Sequence, residues 1–308
     1  MKHPLDPIRR QCRHVTDAVR WACILEATAP KVGNVHPSRQ FVDLCYADFV
    51  RAAEITAQAF TDSPSRFSRA VESAATEIAD TIGSNVNLGI LLLLGPLIQA
   101  ESASPTAKGD IETWVSAITQ TLESLDAEDA SRLYNAINVS NPGGMGTRET
   151  MDVRQAPPDS FLVAMISAKE RDRIALNYAV GFRDLFENVV PVVRDCMEAC
   201  GDVLVGIADA HVELLSARPD TLIARKFGVE VADEVCQRAG AAKGNPKRLA
   251  ELDAYLRGGS EKSGRRLNPG TTADLIAAAL YVLLRGRDAR CEGRGAWGEG
   301  RGARARKG

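Results

Sequence analysis

The sequence has few aromatic residues and no strong excess of either charge. Phe, Trp and Tyr make up 5% of its 308 residues, and the formal net charge is −2. Proteins that bind single-stranded nucleic acids use aromatic side chains on which bases stack, together with a basic groove that follows the phosphate backbone. We therefore expect neither a nucleic acid nor a membrane surface as a partner.

The sequence also lacks a C-x-x-C motif, an apolar leader and a run long enough to cross a bilayer. Its seven cysteines are odd in number and scattered, which favours free thiols in a reducing compartment such as the cytoplasm. The N-terminal MKHPLDPIRRQC has no apolar centre, so we expect no secretory signal peptide. The longest uncharged apolar run, residues 88–98, is shorter than the roughly 18 to 20 residues that a membrane span needs, and predicts a buried helix.

Apolar residues recur every three or four positions along most of the chain, which is the period of a helix buried on one face. Residues 173–190 and 195–216 each predict one continuous helix. Strand-like alternation with β-turn dipeptides does not recur, so we predict an all-α fold with a single multi-helix domain over residues 1–284. The Gly- and Arg-rich remainder, residues 285–308, has too little apolar content to fold and is expected to be disordered.

Four polar loops rich in Gly, Pro and Asn interrupt the predicted helices, at residues 26–43, 83–89, 138–160 and 265–275. A helix start presents unpaired N–H groups and the positive end of the helix dipole. Several such starts, together with Lys31, Arg39, Arg225 and Arg265, suit a polyanion such as a nucleotide triphosphate. The segment NPGGMG is not a P-loop, because no strand precedes it and no Lys-Ser or Lys-Thr pair follows it.

Several of these polar residues also have a purely structural interpretation. The segment TTAD (271–274) is typical of a capping box, with Thr271 as the N-cap and Asp274 three residues on. Asn85 and Asn87 precede a predicted helix, where asparagine is a common N-cap residue.

Glu26 is harder to explain as a structural residue, because it extends the apolar face of its predicted helix. An unpaired buried carboxylate is costly. Glu26 therefore needs a partner, which could be a metal ion, Lys31 or a substrate hydroxyl.

Four segments occur in an order that resembles one enzyme family. They are EATAPKVGNVH (26–36), SNVNLGILLLLGPL (84–97), DTLIARKFG (220–228) and LNPGTTADLIAAALYVLL (267–284). Together they are similar to the triphosphoribosyl-dephospho-CoA synthase family, and the similarity covers most of residues 15–284. The resemblance implies an all-helical cytosolic transferase that uses ATP as a ribosyl donor. In that reaction the 2′-hydroxyl of dephospho-CoA attacks C1 of the ATP ribose, and adenine leaves.

Two of the segments depart from the family's usual pattern. Val86-Asn87-Leu88-Gly89 stands where the family typically reads T-H-K-G, and His36 stands where P-K-P-G-L-V-D ends in aspartate. The chain in this respect resembles a branch found in archaea and in bacteria with tetrahydromethanopterin-linked metabolism. Ribosyl transfer in the synthesis of that cofactor is therefore one alternative. A non-catalytic nucleotide-binding protein is a second alternative, and a helical scaffold whose polar loops are only caps is a third.

The reaction implied by the resemblance passes through an oxocarbenium-like state and needs three functions. Mg²⁺ would hold the triphosphate through one or two carboxylates and several waters, and we expect Glu26 and Asp43 as its ligands. ATP binding is assigned to Lys31, Asn85, Asn87, Asp220 and Arg225. The general base that takes the proton of the coenzyme-like acceptor is Asp152 or His36, and the sequence does not choose between them. We expect the two metal ligands, Lys31, the two asparagines and Asp220 to line one cavity.

Overall fold

The computed structural model describes residues 3–62, 66–84, 86–103, 110–141, 160–258 and 266–286. Within these ranges the chain forms fifteen α-helices and one π-helical segment, Leu185–Val189. The α-helices are α1 Asp6–Arg9, α2 Val15–Thr28, α3 Tyr46–Asp62, α4 Phe67–Ile82, α5 Leu88–Ala103, α6 Ile111–Glu123, α7 Ala127–Ser140, α8 Phe161–Ala168, α9 Arg173–Ala179, α10 Val190–Cys200, α11 Val203–Ala217, α12 Thr221–Phe227, α13 Val229–Ala242, α14 Pro246–Leu256 and α15 Gly270–Arg285.

The all-α prediction is confirmed. In the described ranges the strand-like features are two isolated bridges, one between His36 and Arg39 and one between Phe41 and Leu44. Both bridges lie in the loop between α2 and α3 and belong to no sheet. None of the helices described above is both long enough and apolar enough to cross a membrane.

Helices α5 and α15 form the centre of the molecule. Most residues of both helices are buried, and a helix that is apolar on all sides needs neighbours all round. Helix α5 packs against α4, α6 and α15, and α15 also contacts α2, α10 and α11. The apolar run at 88–98 is therefore a buried helix, as predicted.

Pro96 lies inside α5, where it removes one backbone hydrogen bond. Because proline has no N–H, the Leu92 carbonyl four residues earlier loses its helical donor. The hydroxyl of Tyr178, on α9, donates to that carbonyl at 2.7 Å. Burial raises the pKa of Tyr178 above its usual range, so this hydroxyl stays a donor. The bond joins α9 to α5 beside the cavity described below.

Two segments predicted as single helices are each broken in the structure. Residues 173–190 divide at Gly181, which has a φ of 59° and separates α9 from the π-helical segment. Residues 195–216 divide at Gly201, which ends α10 with a φ of 70°. The next residue, Asp202, starts α11 by accepting a hydrogen bond from a backbone N–H at 2.9 Å. Left-handed glycines and side-chain caps end helices without interrupting the apolar period, so the prediction of continuous helices was wrong here.

A smaller apolar cluster joins α11, α12, α13 and α14, and it also holds the loop that follows α2. Val32 of the loop packs in this cluster with Leu256. Gly33 has a φ of 74°, and a side chain there would overlap Leu256. Its N–H donates to Asp253 Oδ1 at 2.8 Å, across 220 positions of the chain. The loop is thus fixed against α14.

Helix α15 continues through Arg285, the residue at which the tail was expected to begin. Arg285 Nε donates to the buried carboxylate of Glu101 at 2.8 Å, and the Tyr281 hydroxyl donates to the same carboxylate at 2.6 Å. The expected boundary is therefore corrected: Arg285 belongs to the folded domain. The tail from residue 287 onward lies outside the described residues.

Candidate functional site

A cavity of about 220 Å³ lies where the first turns of several helices meet the loop that follows α2. Its polar lining includes Glu26, Asn34, Asn87, Asp172, Arg225 and Asp274. Its apolar lining includes Phe41, Phe49, Tyr134, Phe161 and Met165. A mainly apolar wall with a few convergent polar groups is the usual form of a small-molecule site.

Three helices begin at the cavity wall. Asn87 precedes the first residue of α5, Asp172 is the N-cap of α9, and Gly270 is the first residue of α15; all three line the cavity. The positive dipole ends of α5 and α15 favour an anionic ligand, whereas the first N–H groups of α9 are already capped by Asp172.

Glu26 lies near the end of α2, where it lines the cavity and contacts Lys31. Helix α2 ends at Thr28, and the chain then turns so that Lys31 Nζ lies 2.9 Å from Glu26 Oε1. The same ammonium group contacts the Glu26 backbone carbonyl. The Lys31 side chain is 0% exposed, and among the described residues Glu26 lines the cavity whereas Lys31 does not. Lys31 therefore forms an ion pair with Glu26 on the side away from the cavity. This confirms one of the three partners proposed for the Glu26 carboxylate.

Asp274 lies on the cavity wall with Glu26, although the sequence indicated only a cap. Helix α15 begins at Gly270 without a side-chain cap, so the predicted capping box of Thr271 and Asp274 is wrong. Because the helix starts earlier than assumed, the Asp274 carboxylate falls in the second turn, directly against Gly89 of α5. Burial raises the pKa of Asp274 well above its usual range, and the neighbouring Glu26 carboxylate raises it further.

Asp220 joins the starts of two helices. Its Oδ1 accepts hydrogen bonds from the N–H groups of Leu222, at 2.9 Å, and Ile223, at 3.1 Å, and so caps α12. Its Oδ2 accepts from the N–H of Thr272 at 2.8 Å and from the hydroxyl of Thr272 at 2.7 Å. Burial raises the pKa of Asp220, although these bonds act in the opposite direction. Asp220 therefore positions the first turn of α15, and its direct contact with ATP stays a prediction.

Arg225 and Asp172 form an ion pair on the cavity wall. Arg225 Nη1 of α12 lies 2.6 Å from Asp172 Oδ2. Asp172 also caps α9, because its Oδ1 accepts from the Ile174 N–H at 2.8 Å. The pair fixes the Arg225 guanidinium at the cavity, where its assignment to ATP binding stays a prediction.

Two asparagines present polar atoms that have no hydrogen-bond partner among the described residues. Asn87 is 8% exposed and has a φ of 69°; its carbonyl accepts from the Leu91 N–H at 2.8 Å, but its Nδ2 is unpaired. Asn34, also 8% exposed, donates from Nδ2 to Asn268 Oδ1 at 2.8 Å, but its own Oδ1 is unpaired. Buried polar groups are nearly always hydrogen-bonded, so an unpaired donor and an unpaired acceptor on one cavity wall indicate a ligand.

His36 and Asp43 do not appear among the described residues that line the cavity. Burial lowers the pKa of His36, and the Arg257 guanidinium lowers it further, so its imidazole is neutral near pH 7. The Asp43 side chain is 67% exposed and pairs with Arg266. The hydrogen bond from Arg266 lowers the pKa of Asp43. The structure thus gives Asp43 a surface partner and does not bring it to the cavity with Glu26.

Asp152, Asn85 and Arg265 lie outside the described residues. Of the remaining assigned residues, the structure brings Glu26, Asn87 and Arg225 to one cavity. Sequence reasoning did not assign a site role to three further lining residues, Asn34, Asp172 and Asp274. Asp274 had a usable signal, because it is the one charge in the apolar segment TTADLIAAALYVLL. Like Glu26, it is a carboxylate within an apolar helical segment, and such a carboxylate needs a partner.

Two of three comparisons with known proteins give a match, and both matches are consistent with this geometry. Residues 12–292 match the sequence profile of the CitG family, whose description is ATP:dephospho-CoA triphosphoribosyl transferase. Among solved structures, the chain is similar to a proposed triphosphoribosyl-dephospho-CoA synthase from Archaeoglobus fulgidus. The two chains are 26% identical with a TM-score of 0.58, and the match covers 77% of this chain and 97% of that one. No curated protein sequence gives a match.

Proposed function

We propose, from the premise that this chain belongs to the CitG family of ATP:dephospho-CoA triphosphoribosyl transferases, that its cavity is where the triphosphoribosyl group leaves ATP. The chain is a transferase of this family, which moves that group from ATP to dephospho-CoA. The observation that carries the site assignment is the convergence of helix N-termini, carboxylates and unpaired amides on one cavity with an apolar wall.

The triphosphate belongs at the first turns of α5 and α15. Both helices begin at residues that line the cavity, and both are long enough to have a substantial dipole. Arg225 adds a guanidinium, which suits phosphate oxygens because its N–H groups form a planar fork. The Nδ2 of Asn87 is a further donor at the start of α5.

A divalent cation fits this site through Glu26. Its carboxylate is buried and lines the cavity. Lys31 pairs with it but is not part of the described cavity lining, so Lys31 does not separate the carboxylate from the cavity. Asp43 fits less well, because it is exposed and paired with Arg266. No group of three or more candidate ligands occurs in the described part of the chain, but Mg²⁺ on a nucleotide typically takes one or two carboxylates and fills its shell with water and phosphate oxygens. When bound, Mg²⁺ would neutralise part of the triphosphate charge.

The apolar wall supplies the surface for the uncharged parts of the substrates. Phe41, Phe49, Tyr134 and Phe161 present ring surfaces that suit an adenine ring or the pantetheine arm of dephospho-CoA. This wall also keeps water from the ribose carbon, which matters because water competes with the acceptor hydroxyl.

The transfer forms one bond and breaks one. The acceptor hydroxyl oxygen bonds to C1 of the ATP ribose while the bond from C1 to adenine breaks. The hydroxyl proton passes to a base, and the departing adenine takes up a proton. The base in this proposal stays Asp152 or His36, although His36 is not among the described residues that line the cavity. The lowered pKa of His36 leaves its imidazole free to accept a proton.

The test is to incubate the full chain with ATP, Mg²⁺ and dephospho-CoA and to follow adenine by chromatography and the product by mass. We expect adenine and triphosphoribosyl-dephospho-CoA in equal amounts, and no adenine without an acceptor. Adenine release with a pterin-type acceptor alone would favour the tetrahydromethanopterin alternative. Binding of ATP without adenine release in the presence of any acceptor would favour the non-catalytic alternative.

The described cysteines are free thiols, so we propose the cytoplasm as the compartment.

A further inference from the structure

We propose that Asp274 is the second carboxylate, beside Glu26, that holds the divalent cation of the bound nucleotide. This inference rests on the proposed function, since the cation arrives with ATP. Both side chains line the same cavity wall, one from the end of α2 and one from the second turn of α15. Asp274 thereby takes the place that the sequence assigned to Asp43.

The backbone of α5 fixes the position of Asp274. Its carboxylate lies so close to Gly89 that a methyl group at that position would overlap both the carboxylate carbon and Oδ2. Gly89 stands in the first turn of α5, next to Asn87 and Leu88 at the cavity. A cation bound at Asp274 is therefore also next to the N-terminus at which the phosphates would bind.

Charge gives the second argument. Each other carboxylate in this region has a partner: Glu26 has Lys31, Asp172 has Arg225, and Asp220 has four hydrogen-bond donors. No hydrogen bond or ion pair ties the Asp274 carboxylate to any of the described residues. Its neighbourhood is instead mainly negative. A carboxylate kept beside other carboxylates without a partner is neutralised either by a proton or by a cation that arrives from elsewhere and displaces that proton.

The unpaired asparagine atoms give an independent argument for a ligand at this wall. Asn87 Nδ2 and Asn34 Oδ1 are both buried, and neither has a partner among the residues that the structure describes. A phosphate oxygen would satisfy the donor on Asn87, and a water molecule on the cation would satisfy the acceptor on Asn34. A hydrated cation that carries phosphate would provide both partners at once.

The experiment measures cation binding directly and does not depend on turnover. The full chain is titrated with Mn²⁺ in the presence of ATP and followed by electron paramagnetic resonance, and thermal stabilisation by Mg²⁺–ATP is compared with that by ATP in EDTA. The first variant, Asp274→Asn, removes the charge of the carboxylate. The second, Gly89→Ala, displaces the Asp274 carboxylate but keeps its charge. Asp43→Asn tests the rival ligand, and Asp233→Asn, an exposed aspartate within α13, is the matched control.

We expect Asp274→Asn and Gly89→Ala to weaken Mn²⁺ binding at least about 10- to 100-fold, since loss of even an outer-sphere partner of a metal ligand has that effect. Asp274→Asn should keep the stabilisation by ATP in EDTA, which also shows that it is folded. Gly89→Ala, which changes the first turn of α5 itself, should keep the far-ultraviolet circular dichroism of the wild type. Asp43→Asn and Asp233→Asn should bind Mn²⁺ as the wild-type chain does.

Two results would overturn the assignment. One is unchanged Mn²⁺ affinity in Asp274→Asn, with or without loss of adenine release. The other is loss of Mn²⁺ binding in Asp43→Asn but not in Asp274→Asn. A wild-type chain that neither binds Mn²⁺ with ATP nor is stabilised by Mg²⁺–ATP would instead contradict the proposed nucleotide site itself.

Discussion

The buried pair of Glu26 and Lys31 gives the sharpest prediction on stability. Replacing Lys31 by Met keeps the length of the side chain but leaves the Glu26 carboxylate buried without its counter-charge. Removing one partner of a buried ion pair typically costs about 3 to 5 kcal/mol, because the other charge stays desolvated. Lys31 is fully enclosed and Glu26 nearly so, and therefore we expect Lys31→Met to fall in that range.

For a domain of this size, each kcal/mol lowers the melting temperature by roughly 2 to 4 °C, so the expected drop is about 6 to 20 °C. The double variant Glu26→Gln/Lys31→Met removes both charges and should recover much of the loss, since neutral replacements of buried pairs are often well tolerated. The assay is urea unfolding followed by far-ultraviolet circular dichroism, without nucleotide, for the wild type, both single variants and the double variant.

Two outcomes would refute this reasoning. The first is a cost below about 1 kcal/mol for Lys31→Met, which is the size expected of an exposed pair. The second is a double variant whose cost equals the sum of the two single costs, because additivity means that the two side chains do not interact. Added Mg²⁺–ATP should rescue Lys31→Met in part if the cation binds the Glu26 carboxylate.

Three further predictions concern the fold. Tyr178→Phe should cost about 1 to 3 kcal/mol, because it leaves the buried Leu92 carbonyl without a donor; an unchanged melting temperature would show that the carbonyl has another partner. Asp184 forms a buried ion pair with Arg173, whose Nε lies 2.8 Å from Asp184 Oδ2. Burial acts to raise the pKa of Asp184, but the Arg173 guanidinium outweighs it and the pKa is lowered. Its stabilisation is therefore present above the ordinary aspartate value of about 3.9 and is lost as the pH falls through the lower folded value. Asp184→Asn should lower stability at pH 7 and reduce its loss on acidification, and an unaltered acid limb of the stability curve would contradict this sign. A chain that ends after Gly286 should keep its melting temperature, since the Gly- and Arg-rich remainder has little apolar surface to bury; a loss of several degrees would show that it packs on the domain.

The fold class could be predicted from the sequence because helical period and apolar content are local signals. The run at 88–98 illustrates this, since its composition alone requires a buried helix. The helix breaks at Gly181 and Gly201 could not be predicted in the same way, because both positions keep the apolar period and differ only in φ. A glycine within an apolar helical pattern can lie inside a helix or end it in the left-handed conformation. Tertiary packing decides between the two.

The candidate site was predictable where burial and charge conflict within one element. Glu26 was found because a carboxylate on an apolar face needs a partner, and the structure supplies Lys31. The surroundings of Asp43 could not be predicted in this way, since its pairing with Arg266 joins positions 223 residues apart. Asp274 was assigned to a cap because the start of α15 was placed two residues too late, and helix ends are the least certain part of such predictions.

The position of α15 in the chain has a consequence for synthesis on the ribosome. Helix α15 follows every other described helix, yet it covers the leucine-rich α5, which precedes it by about 180 residues. At about 5 to 20 residues per second, α5 waits roughly 10 to 40 s after its own synthesis before this cover emerges. During that interval the nascent chain exposes an apolar helix, which makes it a candidate client for chaperones. The cavity wall is also incomplete until then, because Thr271 and Asp274 are synthesised with α15. A chain released early would therefore lack both a closed core and a nucleotide site.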